Sequence, residues 1–548
     1  MSQATDVAWL NGMTLGATLR RSAARYADLE CIKSGDTAMT FAEFDKSVDH
    51  LASGFLSLGL ARGDHVAVWL TNSIEWAQTF CACARIGAVL VPINTRYTAS
   101  EAGYILAQSD ARLLVMTRSI WNKDYVQMLE SIAPDIAQAR PGLLQLAQLP
   151  QLRHVLTVGE GGIAASLRFE EVARTPVTAA LAQAQAAVMP QDPLLICYTS
   201  GTTGKPKGAM HNHIVIKQAT RVGLACNLSA GGRVLGHMPL YHVAGLYMGL
   251  VPALTLGGCF VVMPQWDTGE ALALIESEKI TFFGGIPTHF VDLADHPSLP
   301  GRDLSSLTVA WMGGSPVMQA TYERFKKALG LKDLLSTYGM TENTISTTFN
   351  RPEDPPDAAC NNRAPVLGEC VVRVVDPATG VEQPTGEVGE VWCRGETVMM
   401  GYYKNPQATA ETITPEGWLK TGDMGRFDAR GLLNITGRVK EMYKTGGTNV
   451  YPAEVEQHLS RHPAVKLAAV VGVEDERLGE VGYAFVELHP GAAIDLSEVH
   501  SFCKGTLADY KIPRHVAVVA ELPRTSTGKI QKTSLVQMAR ERMAGEGG

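Results

Sequence analysis

The chain has 548 residues, of which 46% are hydrophobic and 19% charged, and a net charge of -7. That length exceeds what one hydrophobic core supports, so two or more domains are expected, and the composition excludes a disordered chain. The acidic balance argues against a nucleic-acid-binding surface.

Met1 to Glu30 lacks a basic start followed by an apolar core, so no signal peptide is expected. The ten cysteines lack metal-ligand spacing, with Cys81 and Cys83 forming only a C-x-C. Free, buried thiols in a reducing cytosol fit this usage. His65 to Leu70 reads as a strand, Ser73 to Ile86 as a helix with Ser73 at its N-cap, and Ala88 to Pro92 as another strand.

Pro193 to Cys197 is an apolar run that reads as a buried strand. It leads into Tyr198-Thr199-Ser200-Gly201-Thr202-Thr203-Gly204-Lys205-Pro206-Lys207-Gly208. Backbone N–H groups, hydroxyls and two lysines in one loop suit a polyphosphate. The loop is not a Walker A sequence, because Lys205 is followed by Pro206 rather than Ser or Thr. Proline there also forbids a regular helix interior, so the phosphates are not expected on a helix N-terminus.

From Val234 to Trp266 there is no Asp, Glu, Lys or Arg. Pro239, Pro252, Pro264 and Gly257-Gly258 break that run, so it reads as a buried helix and then a buried strand, Cys259 to Met263, rather than a membrane span. Such an uncharged wall suits an apolar substrate pocket. Thr268 to Lys279 and Val317 to Ala328 read as helices, and Thr281 to Phe283 and Leu307 to Met312 as strands. This alternation predicts α/β layers with a mainly parallel sheet.

Ser336-Thr337-Tyr338-Gly339-Met340-Thr341-Glu342 joins an aromatic ring that can stack on a purine to a carboxylate that suits Mg²⁺. Arg351 to Pro365 is a connector. Val371 to Val375, Glu390 to Arg394 and Leu432 to Thr436 then read as short strands of a β-rich subdomain, about 366–437. Asp423, after the turn glycine Gly422, has the two oxygens that ribose hydroxyls need, and Arg438 could fix the same nucleotide. A boundary is placed at Lys440, dividing 1–439 from 440–548. Beyond it, Gly446 and Gly447 permit close approach to the backbone. Pro523 to Ile530 is a polar turn presenting Lys529.

In order and spacing, these motifs resemble the adenylate-forming superfamily of acyl-CoA synthetases, peptide-synthetase adenylation domains and luciferases. The resemblance runs from about Thr14 to Met543. It implies a large N-terminal domain of layered α/β subdomains plus the β-rich subdomain, with a small mobile α+β C-terminal domain. It also implies a ligase that joins a carboxylic acid to ATP, releases pyrophosphate and passes the acyl group to a thiol.

By that resemblance, Thr199, Ser200, Gly201, Thr202, Thr203, Gly204 and Lys205 cradle the β- and γ-phosphates, and Thr199 and Glu342 hold Mg²⁺. Gly314, Ser315, Pro316, Ser336, Thr337 and Tyr338 surround the adenine. Thr341 bonds a phosphate, and Asp423 and Arg438 hold the ribose. Lys529 bridges the substrate carboxylate and the α-phosphate. Lys440 matches the hinge about which the small domain turns, withdrawing Lys529 and bringing Gly446 and Gly447 to the thiol. Tyr443 and Thr448 depart from the usual pattern beside the thiol tunnel. Lys444 fits it, and is assigned to a CoA phosphate.

Pro239 to Leu246 contains no carboxylate, so an amino-acid substrate is not expected. His242 and Val243 are assigned to the wall of the acyl pocket. Gly245, Gly284, Gly285, Gly313 and Gly314 are expected to leave room for a medium-chain, alicyclic or aryl acid. Expected partners are that acid, ATP and CoA, with no nucleic acid, no transmembrane segment, a cytoplasmic location and a homodimer as candidate assembly. Three alternatives stay open: a luciferase-like oxidative enzyme, an acyl-adenylate ligase that loads a carrier protein, and a non-catalytic nucleotide or acyl-CoA sensor.

Overall fold

The computed structural model describes residues 7–546 except 143, 200–204, 315–318, 345, 355–357, 359–363, 365 and 525–529. Two eight-stranded sheets dominate it. In the first, Asp333–Tyr338, Val309–Gly313, Phe282–Gly285, Arg233–Gly236, Cys259–Val262 and Glu30–Ser34 lie side by side and parallel, with an antiparallel strand at each edge. In the second, Pro193–Thr199, Val89–Pro92, His65–Trp69, Ala111–Thr117, His154–Val158 and Leu167–Arg168 are parallel. Lys207–Asn212 and Gly401–Tyr402 extend that sheet antiparallel beyond Pro193–Thr199.

Alternation along each strand decides which layer a side chain joins. Val66 and Val68 enter a central core with Val234, Phe260 and Phe282 of the other sheet and with helices Leu15–Arg25, Phe41–Ser57, Ile74–Ile86 and Val215–Ala225. Ala67 and Trp69 point the opposite way, under helices Ala99–Gln108 and Tyr125–Ile132. Leu235, Phe283 and Ala310 likewise meet helices Thr268–Ser277, Pro287–Asp295 and Gln319–Ala328. Helices therefore cover both faces of each parallel sheet, as strands buried on two sides require.

The predicted helix at Ser73 begins as expected. The Ser73 hydroxyl accepts from the Trp76 N–H at 3.1 Å, and Gly87 ends the helix at φ 73°. The uncharged run from Val234 contains the predicted buried helical turns (Val243–Leu256) and buried strand (Cys259–Val262). It also holds the end of the strand Arg233–Gly236, which the sequence reading did not separate. Among the described residues, no helix is long and apolar enough to cross a membrane. Nine described cysteines are free and buried.

One charged group is sealed in the central core. Arg85 is fully buried and reaches Asp45 at 2.5 Å, joining helix Ile74–Ile86 to helix Phe41–Ser57. Asp45 also pairs with Arg20 at 2.6 Å, while Arg85 Nη1 has no hydrogen-bond partner among the described residues.

Val371–Val375, Gly389–Arg394, Leu419–Phe427 and Leu433–Arg438 form a separate four-stranded antiparallel sheet, matching the expected β-rich subdomain. A single 3₁₀ turn, Val439–Glu441, follows and contains Lys440. Beyond it lies a smaller unit. The hairpin Tyr443–Thr445 with Thr448–Val450 pairs with the long ribbon Val465–Asp475 and Gly479–Leu488, and His515–Val518 adds in parallel. Tyr443 is buried where a β-carbon on Gly472 or Gly482 would come within 2.4 Å of it, so its departure from the family pattern is a packing feature of this unit. At the start of helix Lys532–Glu546, Lys532 Nζ lies 2.7 Å from Glu441 and 2.8 Å from Glu456. Burial pulls the Lys532 pKa down, but Glu456 and Glu441 outweigh it and raise it.

Candidate active site

The phosphate-loop sequence joins two antiparallel strands. Tyr198 pairs with Gly208 and Thr199 with Lys207, so the chain doubles back instead of opening a helix, as Pro206 led us to expect. Thr199 and Lys205 are described at its ends, whereas Ser200, Gly201, Thr202, Thr203 and Gly204 lie outside the described residues. Lys205 Nζ stands 5.4 Å from the Tyr104 ring centre, and Lys207 Nζ 5.2 Å from that of Tyr402.

Across from Thr199, the turn Thr341–Asn343 follows the strand Asp333–Tyr338. It carries Glu342, which is buried and has an oxygen 3.4 Å from Thr199 Oγ1. Tyr402 donates its hydroxyl to the same carboxylate at 2.9 Å. Burial and the neighbouring Glu342 push the Tyr402 phenol up, so it remains a protonated donor. The turn ends on Thr344 at φ 55°, a strained geometry for a β-branched residue, and the buried Thr344 hydroxyl donates to the Thr397 carbonyl at 2.5 Å. Thr199 and Glu342 offer only oxygen, the donor set a hard divalent cation takes.

Asp423 and Arg438 face each other on adjacent antiparallel strands, with Arg438 Nε 3.1 Å from the carboxylate. Tyr338 donates its hydroxyl to the other Asp423 oxygen at 2.8 Å. Asp423 most, then Glu441, Tyr338 and Glu342, raise the Arg438 pKa against its burial. Asp423 sits inside a strand directly after Gly422 at φ 71°. The hydroxyls of Ser336 and Thr337 are turned inward, to Asn350 and to Ser346 and Thr348. Tyr338 is thus the member of that triplet whose side chain reaches the acidic cluster. Gly314 takes φ 91° at the end of its strand, and Ser315 and Pro316 lie outside the described residues.

Several positioning residues were not read from the sequence. His211, on the strand Lys207–Asn212, places Nε2 2.8 Å from the Thr341 carbonyl. A carbonyl only accepts, so Nε2 carries the proton and Nδ1 accepts from the Tyr247 hydroxyl at 3.3 Å. This fastens the Thr341 turn to the strand that leaves the phosphate loop. Burial lowers the pKa of His211, His213 and His289 to about 4 in each case. The unfolded chain binds protons near pH 6.5, so these rings contribute stability above that pH and lose it as pH falls to about 4. The urea midpoint is therefore expected to be level above pH 6.5 and to drop steadily between 6.5 and 4. A level midpoint across that window would disprove the effect.

Of the predicted acyl-pocket residues, Gly245 and Gly284 line one cleft beside Gly236, Met248, Phe260 and Trp311. Val243 is buried and His242 half-buried, and neither lines it. The glycines do not leave room in the way expected, because neighbours already occupy most of the space. An added β-carbon would meet the Pro239 carbonyl at 2.4 Å from Gly245, the Trp311 indole at 1.9 Å from Gly284, His289 at 2.7 Å from Gly285 and Thr337 at 2.7 Å from Gly313. At Gly314 the nearest atom would be 3.3 Å away.

In the smaller unit, Lys444 is exposed on the hairpin beside Gly446 and Gly447, whose φ values are 57° and 85°. Lys440 is exposed in the turn between the units. Lys529 lies outside the described residues, between Arg524 and Ile530, which pair antiparallel.

The chain is similar to known proteins in sequence and in fold. The family model described as AMP-binding enzyme matches residues 19–403, and that described as AMP-binding enzyme C-terminal domain matches 454–529. The 3-[(3aS,4S,7aS)-7a-methyl-1,5-dioxo-octahydro-1H-inden-4-yl]propanoyl:CoA ligase of Rhodococcus jostii (strain RHA1) is 36% identical over 95% of this chain and 98% of its own. The mitochondrial medium-chain acyl-CoA ligase of Danio rerio is 34% identical over 96% of this chain and 88% of its own. Among solved structures, the anthranilate CoA ligase AuaEII in complex with anthranoyl-AMP superposes with a TM-score of 0.85 at 28% identity. It covers 97% of this chain and 98% of that one.

Proposed function

Since the chain belongs to the AMP-binding enzyme family and is an AMP-forming acyl-CoA synthetase, we propose that it activates a medium-chain, alicyclic or aryl carboxylic acid with ATP and transfers the acyl group to CoA. The chemical need is plain. A carboxylate is a poor electrophile, because its charge repels a thiolate and its oxygen is a bad leaving group. In the first half-reaction the carboxylate oxygen attacks the α-phosphorus and pyrophosphate leaves. In the second the CoA thiolate attacks the acyl carbon and AMP leaves.

One observation supports this reading above the others: Glu342 stands beside Thr199, where the phosphate loop begins, and Asp423 is held between Tyr338 and Arg438. Thr199 and Glu342 would hold Mg²⁺, which supplies neutralisation of phosphate charge when bound. The loop from Thr199 to Lys205 would cradle the outer phosphates. Asp423 and Arg438 would hold the ribose, with the adenine against Tyr338 and Gly314 to Pro316. Thr341, steadied through its carbonyl by His211, would bond the α-phosphate.

The cleft of Gly245, Gly284 and Trp311 would take the body of the acid, with His242 at its approach. The named ligases act on a bicyclic propanoate and on medium-chain acids. We divide the chain into 1–439 and 440–548, with Lys440 as the hinge, Lys529 delivered in the first half-reaction, and Lys444, Gly446 and Gly447 meeting CoA in the second.

The test is a panel of fatty, alicyclic, benzoic and phenylpropenoic acids with ATP, Mg²⁺ and CoA. AMP release matched one for one by loss of free CoA is expected for at least one class. AMP formed while CoA is untouched and a carrier protein becomes acylated would favour a carrier-loading ligase. No AMP from any acid would end the reading.

A further inference from the structure

The cleft lined by Gly245 and Gly284 holds a polar side-chain group that has no partner among the described residues. Trp311 and Gly284 are register partners on adjacent parallel strands, and both line the cleft. The indole lies back across Gly284 so closely that a β-carbon there would sit 1.9 Å from Nε1. Trp311 is 4% exposed, and among the described residues its Nε1 has no hydrogen-bond partner. Around it the wall is methionine, phenylalanine, valine and glycine: Met238, Met248, Phe260, Phe282, Val234 and Gly236.

An indole N–H can only donate. Buried donors are nearly always paired, and one left open in an apolar cleft calls for an acceptor that arrives from outside. The free space is small, about 10 Å³, which is room for about one water molecule. A space of that size suits a single acceptor atom such as oxygen. A purely hydrocarbon acid would enter with nothing to offer the N–H, and would displace any water that did.

We propose that the acid carries an oxygen acceptor in its body, away from the carboxylate, and that Trp311 Nε1 selects it. Substrates are then oxo-, hydroxy- or ether-bearing acids in preference to hydrocarbon acids of the same skeleton. This rests on the ligase reading above and narrows its substrate class.

The test is ATP–pyrophosphate exchange with matched pairs of acids, each pair differing by one oxygen at a defined position. The parent enzyme is expected to favour the oxygenated member, in kcat/KM, by about tenfold or more for at least one position. Trp311→Phe keeps an aromatic ring and removes the N–H, and should cut that ratio by about tenfold. An unchanged ratio in Trp311→Phe overturns the proposal, as does a parent enzyme that prefers no oxygenated acid. Should Trp311→Phe not fold, ¹⁵N-indole labelling of the parent chain gives the second readout. One indole resonance must move on adding the preferred oxygenated acid and stay in place with its hydrocarbon twin, and no such shift counts against it. Absence of exchange with every acid is a different failure, that of the ligase reading itself.

Discussion

Replacing Lys529 with alanine is expected to lower ATP–pyrophosphate exchange by about a hundredfold or more, while the variant still converts a supplied acyl-adenylate to the CoA thioester. The first half-reaction forces a carboxylate against a phosphate. Two unit charges 4 Å apart at an effective dielectric of 20 repel by about 4 kcal/mol, and one well-aimed ammonium removes most of that cost. Four kcal/mol corresponds to roughly a thousandfold in rate, so even a partly screened site should lose two decades. The second half-reaction sets a thiolate against a neutral acyl carbon and has no such collision to relieve. Exchange and thioester formation are therefore measured separately on the same preparation. Equal loss of both would contradict the division of labour, and no loss of exchange would remove Lys529 from the first step.

The largest expected effect on stability lies far from the reaction. Asp45→Ala should destabilise the protein by about 3–5 kcal/mol, the usual result of leaving a buried charge without its partner. Arg85 is fully buried and its contact with Asp45 at 2.5 Å is the short one, since Asp49 stands 3.6 Å away. Water cannot reach the guanidinium to compensate. Removing both charges, as in Asp45→Leu with Arg85→Met, should recover most of the loss, because the desolvation cost goes with them. Arg20 can turn to Asp49, which it already contacts at 2.6 Å. Urea denaturation of the three proteins decides the matter. If Asp45→Ala unfolds at the parent's midpoint, the buried pair carries no such weight.

What could be read in advance followed how local the cause was. Helix Ile74–Ile86 was legible because its cap, its apolar face and its terminating glycine all lie within fifteen or so positions of one another. The hairpin at the phosphate loop was half legible, since Pro206 ruled out a helix without naming the returning strand. Arg233–Gly236 merged into the long uncharged run after it, because a buried parallel strand and a buried helix are equally apolar. His211 gave no warning of its role, because its partner is a backbone carbonyl 130 residues away. Tyr402 reaches Glu342 across 60 residues, and Gly284 meets Trp311 only through strand register. Counting glycines as empty space ran opposite to the outcome: a glycine records that something comes close, and only the neighbouring strand says what.

Lys532 has a mechanical consequence. Its bonds to Glu441 and Glu456 rivet the turn after Lys440 to the last helix, so the two cannot drift apart while that ion triad persists. A swing at Lys440 would then work as a crank with a stiff arm. Lys529, three positions before the rivet, would arrive along one arc, and its timing would be governed by torsion at the pivot instead of by diffusion of a loose tether.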